Sequence, residues 1–515
     1  MIWHITSVVS LIFAFLAKAE TVRILAIASV PTFSHNVFFR PLWKALADRG
    51  YQLTVLTTDS MENSYPNIRE IDLHYVYKRK NDLFNISWSP RDWPKLIETY
   101  QNMFTDVALM ELNHPEVQVL LRNESEHFDL VIAEMHIPLM FGFSHRFKCP
   151  LIGISSTEII TTQHRLLGHP THPILYPESL IPTNQGRSFR ERLLSIYTTI
   201  LGSIKFPNRE KVNNDFLKHY FGPETPTYGD FMEKMSWVLL NTHRMFNSRP
   251  LSLKCVPIGG GMHIEKPKPL PLHLQELLDQ STQGVVYFSL GTNVRPQQYP
   301  PNFLNKTLEA FKELPYQIIW KTNEISNQFH LPPNVKTFPW VPQQDLLRHP
   351  NIKVFITQGG LHSVEEAVHA GVPMIGIPFM SDQWRNVAIM LEKGFGIYLN
   401  KQNMEKETLH LAILEVIFNE QYKNTVLGMS RLLKDEPISG LEKALNHVEY
   451  TLKTRDIQHL LSNGPKKSVP WYQYYFLDVI TVTLGLLTLI CKILKLVFKI
   501  LYVFTNGIKN KVKIS

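Results

Sequence analysis

Cysteine is scarce in this chain: three residues in 515, Cys149, Cys255 and Cys491, so no disulfide framework can hold the fold and packing must do so. There is no Asp-x-Asp triplet and no dense His/Cys cluster along the sequence, so no metal site and no bound cofactor are expected. No G-x-G-x-x-G follows the first apolar strand of either half, which argues against a dinucleotide-dependent oxidoreductase. Basic residues are not concentrated except near the C-terminus. The formal charge of +8 therefore does not indicate a nucleic-acid partner.

What is present is length and apolar content. At 515 residues and 44% apolar the chain exceeds one hydrophobic core and predicts two or three units. Residues 1–19 form an apolar stretch too short to span a bilayer, ending Ala17-Lys18-Ala19, which reads as a signal peptide cleaved after Ala19; a buried first helix is the alternative. Residues 474–491 are apolar and uncharged apart from Asp478, and Lys492, Lys495 and Lys499 follow at helical spacing. This predicts a transmembrane helix extending by snorkelling lysines to about 503, with 504–515 as a basic cytosolic tail. An interfacial amphipathic helix over 492–504 is the rival reading. The positive-inside rule then makes a type I protein of the endoplasmic reticulum membrane, with the segment before 470 lumenal. Asn85, Asn123 and Asn305 each open a glycosylation triplet. A homo- or hetero-dimer is compatible with this layout, though no residue pattern specifies one.

Between the ends, the pattern is strand, helix, strand. VRILAIA (22–28), QLTVLTT (52–58), FDLVIAE (128–134), PLIGISS (150–156) and WVLLN (237–241) predict an α/β domain over 20–261 with a parallel sheet covered on both faces. Residues 262–273 carry three prolines within five positions and read as a linker. The pattern restarts with VVYFSL, QIIWK, KVFIT and MIGIP, predicting a second doubly wound domain over 274–455, completed or braced by helices near 405–419 and 439–452, and a juxtamembrane segment over 456–473. Two such domains facing each other bind ligand at the carboxyl ends of their strands.

KVFIT turns through Gln358-Gly359-Gly360 into a helix near Ser363, and glycines before a helix N-terminus make a cradle for a diphosphate. Glu366, one turn further, suits the hydroxyls of a ribose. Asp382-Gln383 ends the next strand and suits a polyol, and Trp340 offers a face for a base. Together, WVPQQDLLRHPNIKVFITQGGLHSVEEAVHAGVPMIGIPFMSDQWRN resembles the nucleotide-sugar signature of the UDP-glycosyltransferase family, and the layout of the whole chain is similar to its animal membrane-bound branch, insect-like in the glutamine at 358. The resemblance implies two facing Rossmann-like domains of the GT-B type and a UDP-sugar donor. It assigns Trp340 and Gln343 to the nucleoside, Gln358, Gly360, His362 and Ser363 to the diphosphate, Glu366 to the ribose, Asp382 and Gln383 to the sugar, and Ser289, Gly291 and Thr292 to a second phosphate-side loop. Many relatives have histidine at 358, and an amide offers a comparable neutral donor.

Attack by an acceptor hydroxyl needs a base, and His35, in the loop after the first strand, has the right unperturbed pKa of ~6.5. A carboxylate that fixes its tautomer is expected at Glu134, where the family usually has aspartate; His136 is a less favoured substitute. The resemblance implies inverting, metal-independent hexose transfer, with glucose as the insect-like donor sugar. The acceptor is a small lipophilic alcohol held by residues around 80–115 and 160–230. A membrane-anchored binding protein that keeps the nucleotide site without turnover is the competing reading.

Overall fold

The computed structural model describes residues 21–84, 93–178, 188–247, 249–294, 298–322, 330–455, 470–474 and 476–512. The expected signal peptide, the triplet at Asn85, most of the juxtamembrane segment and the last three residues lie outside them.

Two wholly parallel sheets organise the first compact unit, which ends at Ser462. The first has seven strands, β1 (Arg23–Ala28), β2 (Gln52–Thr57), β3 (Ile68–Asp72), β4 (Leu130–Glu134), β5 (Leu151–Ser155), β6 (Trp237–Leu240) and β7 (Cys255–Pro257), in the order 3-2-1-4-5-6-7. The second has six, β8 (Val285–Ser289), β9 (Gln317–Lys321), β10 (Val335–Phe338), β11 (Ile352–Thr357), β12 (Met374–Gly376) and β13 (Gly396–Tyr398), in the order 10-9-8-11-12-13. The central strands are apolar on both faces because helices cover both: β4, β5 and β8 are buried at every residue, and each sheet carries one core cluster per face. In each sheet the strand order reverses beside its first strand, between β1 and β4 and between β8 and β11, and a crevice opens there.

WVLLN does not close the first sheet. β7 lies beyond it, and β3 forms the opposite edge. Both escape an apolar-run criterion because edge strands need no continuous apolar run: β3 reads IREID with one buried residue, and β7 is three residues ending in proline. The stretch 262–273 is also less free than its prolines imply. Met262 and His263 are buried, and the backbone N–H groups of Glu265 and Lys268 donate to Gln344 (2.9 Å) and Asp345 (3.0 Å).

One expectation about domain membership is corrected. The Gly440–Lys453 helix does not complete the second domain. Ala444, Leu445 and Val448 enter the core that covers β1 and the Phe33–Asp48 helix, and Arg49–Glu449 (2.9 Å) and Arg455–Asp129 (2.8 Å) tie its end to the first domain. Helical periodicity defines an apolar stripe but not which sheet receives it.

A second unit spans Asn463–Ser515. Its Leu477–Val512 helix contains an apolar stretch, Leu477–Val503, of 27 residues with mean hydropathy 2.1, long enough to cross a bilayer. The helix starts three residues later than expected and continues unbroken through Lys492, Lys495 and Lys499.

Because the last helix of the first unit is a core element of the first domain, Leu445→Ala should destabilise the full-length protein by about 2–5 kcal/mol. Denaturant unfolding in detergent checks this, and a loss within ~0.5 kcal/mol, the usual range for surface changes, would contradict the packing.

Candidate active site

The two crevices face one another across a cavity of ≈ 500 Å³ lined from the first domain by His35, His136 and Met103 and from the second by Ser289, Gln358 and Asp382. That is within the range of small-ligand sites.

On the first-domain side, the chain leaves β1 and enters the Phe33–Asp48 helix, which brings the His35 ring to the end of β4. There His35 Nδ1 stands 2.7 Å from Glu134 Oε1. The carboxylate also receives Val30 N–H (3.4 Å) and Ser156 Oγ–H (3.5 Å), and His136 Nδ1 lies 3.7 Å away. Burial by itself raises the Glu134 carboxyl, but His136 and His35 outweigh it and hold the group at about 2. The longer side chain of glutamate therefore still reaches the histidine. Among the described residues His35, Glu134 and His136 place their ligand atoms within 4.8 Å of one another. That donor set suits a metal ion in composition, and no sequence spacing announced it.

On the other side, β11 ends at Thr357 and the chain enters the Leu361–Ala370 helix through Gln358 and two glycines. Thr357 Oγ1–H donates to Gln358 Oε1 (3.2 Å), which leaves the amide nitrogen toward Gly291 and Gly360. Gly291 has φ +76°, which favours glycine, and a Cβ there would stand 2.1 Å from Gln358 Nε2 and push that amide aside. Ser289 Oγ accepts from Gly291 N–H (3.3 Å), and Lys321 Nζ donates to the Gly291 carbonyl (3.0 Å). Thr292 and Ser363 line the same cavity.

Glu366 is held by two amides: Gln343 Nε2 donates to one oxygen (2.6 Å) and Gln344 Nε2 to the other (3.1 Å). Gln343 also donates to Ser363 Oγ (3.0 Å) and accepts from Tyr287 O–H (2.8 Å). Trp340 is 57% exposed, standing edge-on to Phe33 (5.4 Å) with the Lys321 ammonium over its ring (5.1 Å). Asp382 follows Ser381, whose φ is +55°. Burial raises its carboxyl, and Asn386 Nδ2 donates to it (2.9 Å). Gln383 Oε1 accepts the Phe379 (2.8 Å) and Met380 (3.0 Å) N–H groups, so only its NH2 remains for a ligand.

His362 is placed differently from a simple diphosphate donor. Its Nε2–H donates to the Ser156 carbonyl of the first domain (3.1 Å), and its ring stacks on Phe38 at 5.1 Å. Burial depresses its pKa well below the ordinary value, and the neighbouring His263 adds to that. His263 itself was not singled out by sequence pattern. It lies 3.4 Å from Glu366 and 3.7 Å from Glu365; burial opposes its charge, but the two carboxylates raise its pKa. Other missed residues join the domains: Lys80 Nζ donates to Asn293 Oδ1 (2.8 Å), and Arg385 pairs with Glu158 (2.5 Å). These contacts pair residues more than 200 positions apart, and no local spacing reveals them. Of the expected glycosylation sites, Asn123 is exposed in a turn, whereas Asn305 is exposed on a helix whose Thr307 is buried.

The pattern of the UDP-glucoronosyl and UDP-glucosyl transferase family matches residues 24–514. UDP-glycosyltransferase UGT4 of Dactylopius coccus is 32% identical over 496 residues, covering 93% of this chain and 95% of that protein. An ecdysteroid UDP-glucosyltransferase of Spodoptera littoralis nuclear polyhedrosis virus is 29% identical, covering 90% and 94%, and UDP-glucuronosyltransferase 2B13 of Oryctolagus cuniculus is 28% identical, covering 93% of each. Among solved structures, a UDP-glucosyltransferase from Polygonum tinctorium aligns with TM-score 0.59 at 14% identity, over 85% of this chain and all of that one. The glycosyltransferase of kitacinnamycin aligns with TM-score 0.58 at 18% identity, over 84% and 99%.

Two outcomes follow from this geometry. Gly291→Ala should raise the KM of a nucleotide-sugar donor by about tenfold or more, since the φ strain alone costs roughly 1–2 kcal/mol. A donor KM within about twofold of the parent's would contradict this placement of Gly291. For Glu134, the folded pKa of about 2 lies below its ordinary 4.5, so its contribution to stability is complete above 4.5 and is lost as pH falls toward 2. The thermal-stability gap between Glu134→Gln and the parent should narrow over that window, and a constant gap would refute the assignment.

Proposed function

This chain belongs to the UDP-glucuronosyl and UDP-glucosyl transferase family and is a UDP-glycosyltransferase, and from that premise we propose that it transfers glucose from UDP-glucose to a hydroxyl of a small lipophilic acceptor, with inversion. The observation that carries this is that His35, backed by buried Glu134, lines one cavity with Gln358 and Ser363 of the turn after β11. With Nδ1 committed to Glu134, Nε2 is the nitrogen left for the acceptor. The acceptor proton passes to Nε2, the freed oxygen forms a bond to the anomeric carbon, and the bond from that carbon to the UDP oxygen breaks with its electron pair leaving on UDP. The charge arriving on the diphosphate meets the Gln358 amide and the open N–H groups at the start of the Leu361–Ala370 helix. The positive charge developing on His35 meets Glu134, already ionised.

Glu366 would bind the ribose through oxygens already oriented by Gln343 and Gln344, Trp340 would stack on the base, and Asp382 with the NH2 of Gln383 would hold sugar hydroxyls. His362, committed to Ser156, would act as a strut beside the diphosphate. Glucose is supported by relatives named as glucosyltransferases from Dactylopius coccus and insect viruses. A lipophilic acceptor is supported by Val37, Met103, Phe104 and Ile160 on the first-domain wall of the cavity. The same reading makes the Leu477–Val512 helix a single membrane anchor, with the catalytic unit on the lumenal side of the endoplasmic reticulum. It assigns no chemical step to a metal ion, in keeping with a sequence free of Asp-x-Asp.

With UDP-glucose and a phenolic acceptor, His35→Ala should reduce turnover by about 10²–10⁴-fold, the usual worth of a general base, with little change in donor KM. Turnover preserved in His35→Ala would refute the proposed base. A donor panel including UDP-glucuronic acid tests the sugar, and the anomeric coupling constant of the product tests inversion.

A further inference from the structure

Two histidines share one carboxylate in the first-domain half of the cleft, and the proposed reaction uses only one of them. His136 stands two residues past the end of β4, and it lines the cavity together with His35. Its Nδ1 is buried, has no hydrogen-bond partner among the described residues, and lies 3.7 Å from Glu134 Oε1. That gap is too long for a hydrogen bond. It is close to the spacing of two ligand atoms on one tetrahedral ion, since bonds of about 2.1 Å hold their donors roughly 3.4 Å apart. His35 Nδ1 is a third donor, 2.7 Å from the same oxygen, and the three ligand atoms all lie within 4.8 Å of one another.

We propose that His35, Glu134 and His136 form a binding site for a divalent d-block ion such as Zn²⁺, and that the bound ion silences the base. Two imidazoles and a carboxylate are a complete set of protein ligands for such an ion, with the remaining position open. Here that position faces the cavity, which both histidines line. Mg²⁺ and Ca²⁺ do not suit the set, because each takes roughly six or more oxygen ligands. The surroundings support the ligands from behind. His136 Nε2 lies 3.4 Å from Thr157 Oγ1, and Val30 N–H donates to Glu134 Oε2 (3.4 Å), which leaves Oε1 toward the histidines. Closing the set requires the His35–Glu134 pair to open from 2.7 Å to about 3.4 Å and the two histidine nitrogens to converge by at most about 1.4 Å.

The consequence follows from the tautomer of His35. Without the ion, neutral His35 keeps its proton on Nδ1 beside Glu134, and the lone pair on Nε2 takes the proton of the acceptor. An ion bound through Nδ1 occupies that nitrogen's lone pair, so the ring proton sits on Nε2. That nitrogen then donates and cannot accept, and the Glu134 charge is spent on the ion. The protein is inactive until the ion leaves. This consequence rests on the reading of His35 as the base, whereas the site itself rests on the geometry of its three donors.

The test uses the full-length protein in detergent, stripped with EDTA. Co²⁺ is added without nucleotide, which would itself bind the ion, and Zn²⁺ is added to turnover assays with UDP-glucose and a phenolic acceptor. The expected result is the visible absorption of Co²⁺ in a site of low coordination number, displaced by Zn²⁺. Turnover should be lost to Zn²⁺, restored by EDTA and unaffected by Mg²⁺. His136→Ala, with His136→Gln as a second replacement, should lose the absorption and need about tenfold or more Zn²⁺ for half-inhibition, each measured against its own metal-free rate. Half-inhibition at the same Zn²⁺ concentration in the parent and both variants places the ion elsewhere and overturns the inference. So does the absence of Co²⁺ absorption or of Zn²⁺ inhibition in the parent. Absorption that depends on His136, together with turnover preserved in His35→Ala, upholds the site and overturns only the reading of His35 as the base.

Discussion

Parallel strands cannot be joined by tight turns, and this constraint places the facing loops of the cleft. Each crossover must carry the chain back along a helix, so all carboxyl ends of a sheet share one edge, and the loops that leave them converge where the strand order reverses. In the first sheet that point collects the start of the helix after β1 and the end of β4, hence His35 and Glu134. In the second it collects the turns after β8 and β11, hence Gly291 and Gln358. Facing the two edges makes one cavity from four loops that are far apart in sequence.

Electrostatics then separates carboxyl groups that sequence alone treats alike. Glu134 is buried, yet two histidines keep it ionised. Glu111 is equally buried, accepts a hydrogen bond from the Ser29 hydroxyl (2.8 Å), and burial drives its carboxyl well upward. Asp382 and Glu365 are also raised by burial. The environment thus keeps Glu134 anionic next to the ring proposed to gain a proton. Glu158, which lines the cleft, is also held low against burial by Arg385 and His164, while Glu111, Asp382 and Glu365 are biased toward neutrality. Additional negative charge there would oppose a UDP-sugar.

The domains are held together by elements that do not respect their order in the chain. The Gly440–Lys453 helix packs on the first domain although it follows the second, and Lys80–Asn293, Arg385–Glu158 and His362–Ser156 cross the cleft. His263 lies at the start of the connecting stretch and against Glu366, so the path between domains touches the proposed ribose ligand directly. Shifts of one domain relative to the other would therefore be felt at the donor site.

The central strands, the glycine turn and the nucleotide-sugar pattern were legible in the sequence because each depends on neighbours within a few residues: apolar runs bury on two faces, glycine permits a left-handed turn, and a helix N-terminus exposes its amides whatever the fold around it. Edge strands such as β3, the destination of the Gly440–Lys453 stripe, the capture of His362 by Ser156 and the pairing of His263 with Glu366 were not legible. Those depend on which surfaces meet after the chain has closed over hundreds of residues. Local pattern determined what each segment could be. Only packing decided what it touches, because contact between distant residues is set by the complementarity of whole surfaces and not by spacing along the backbone.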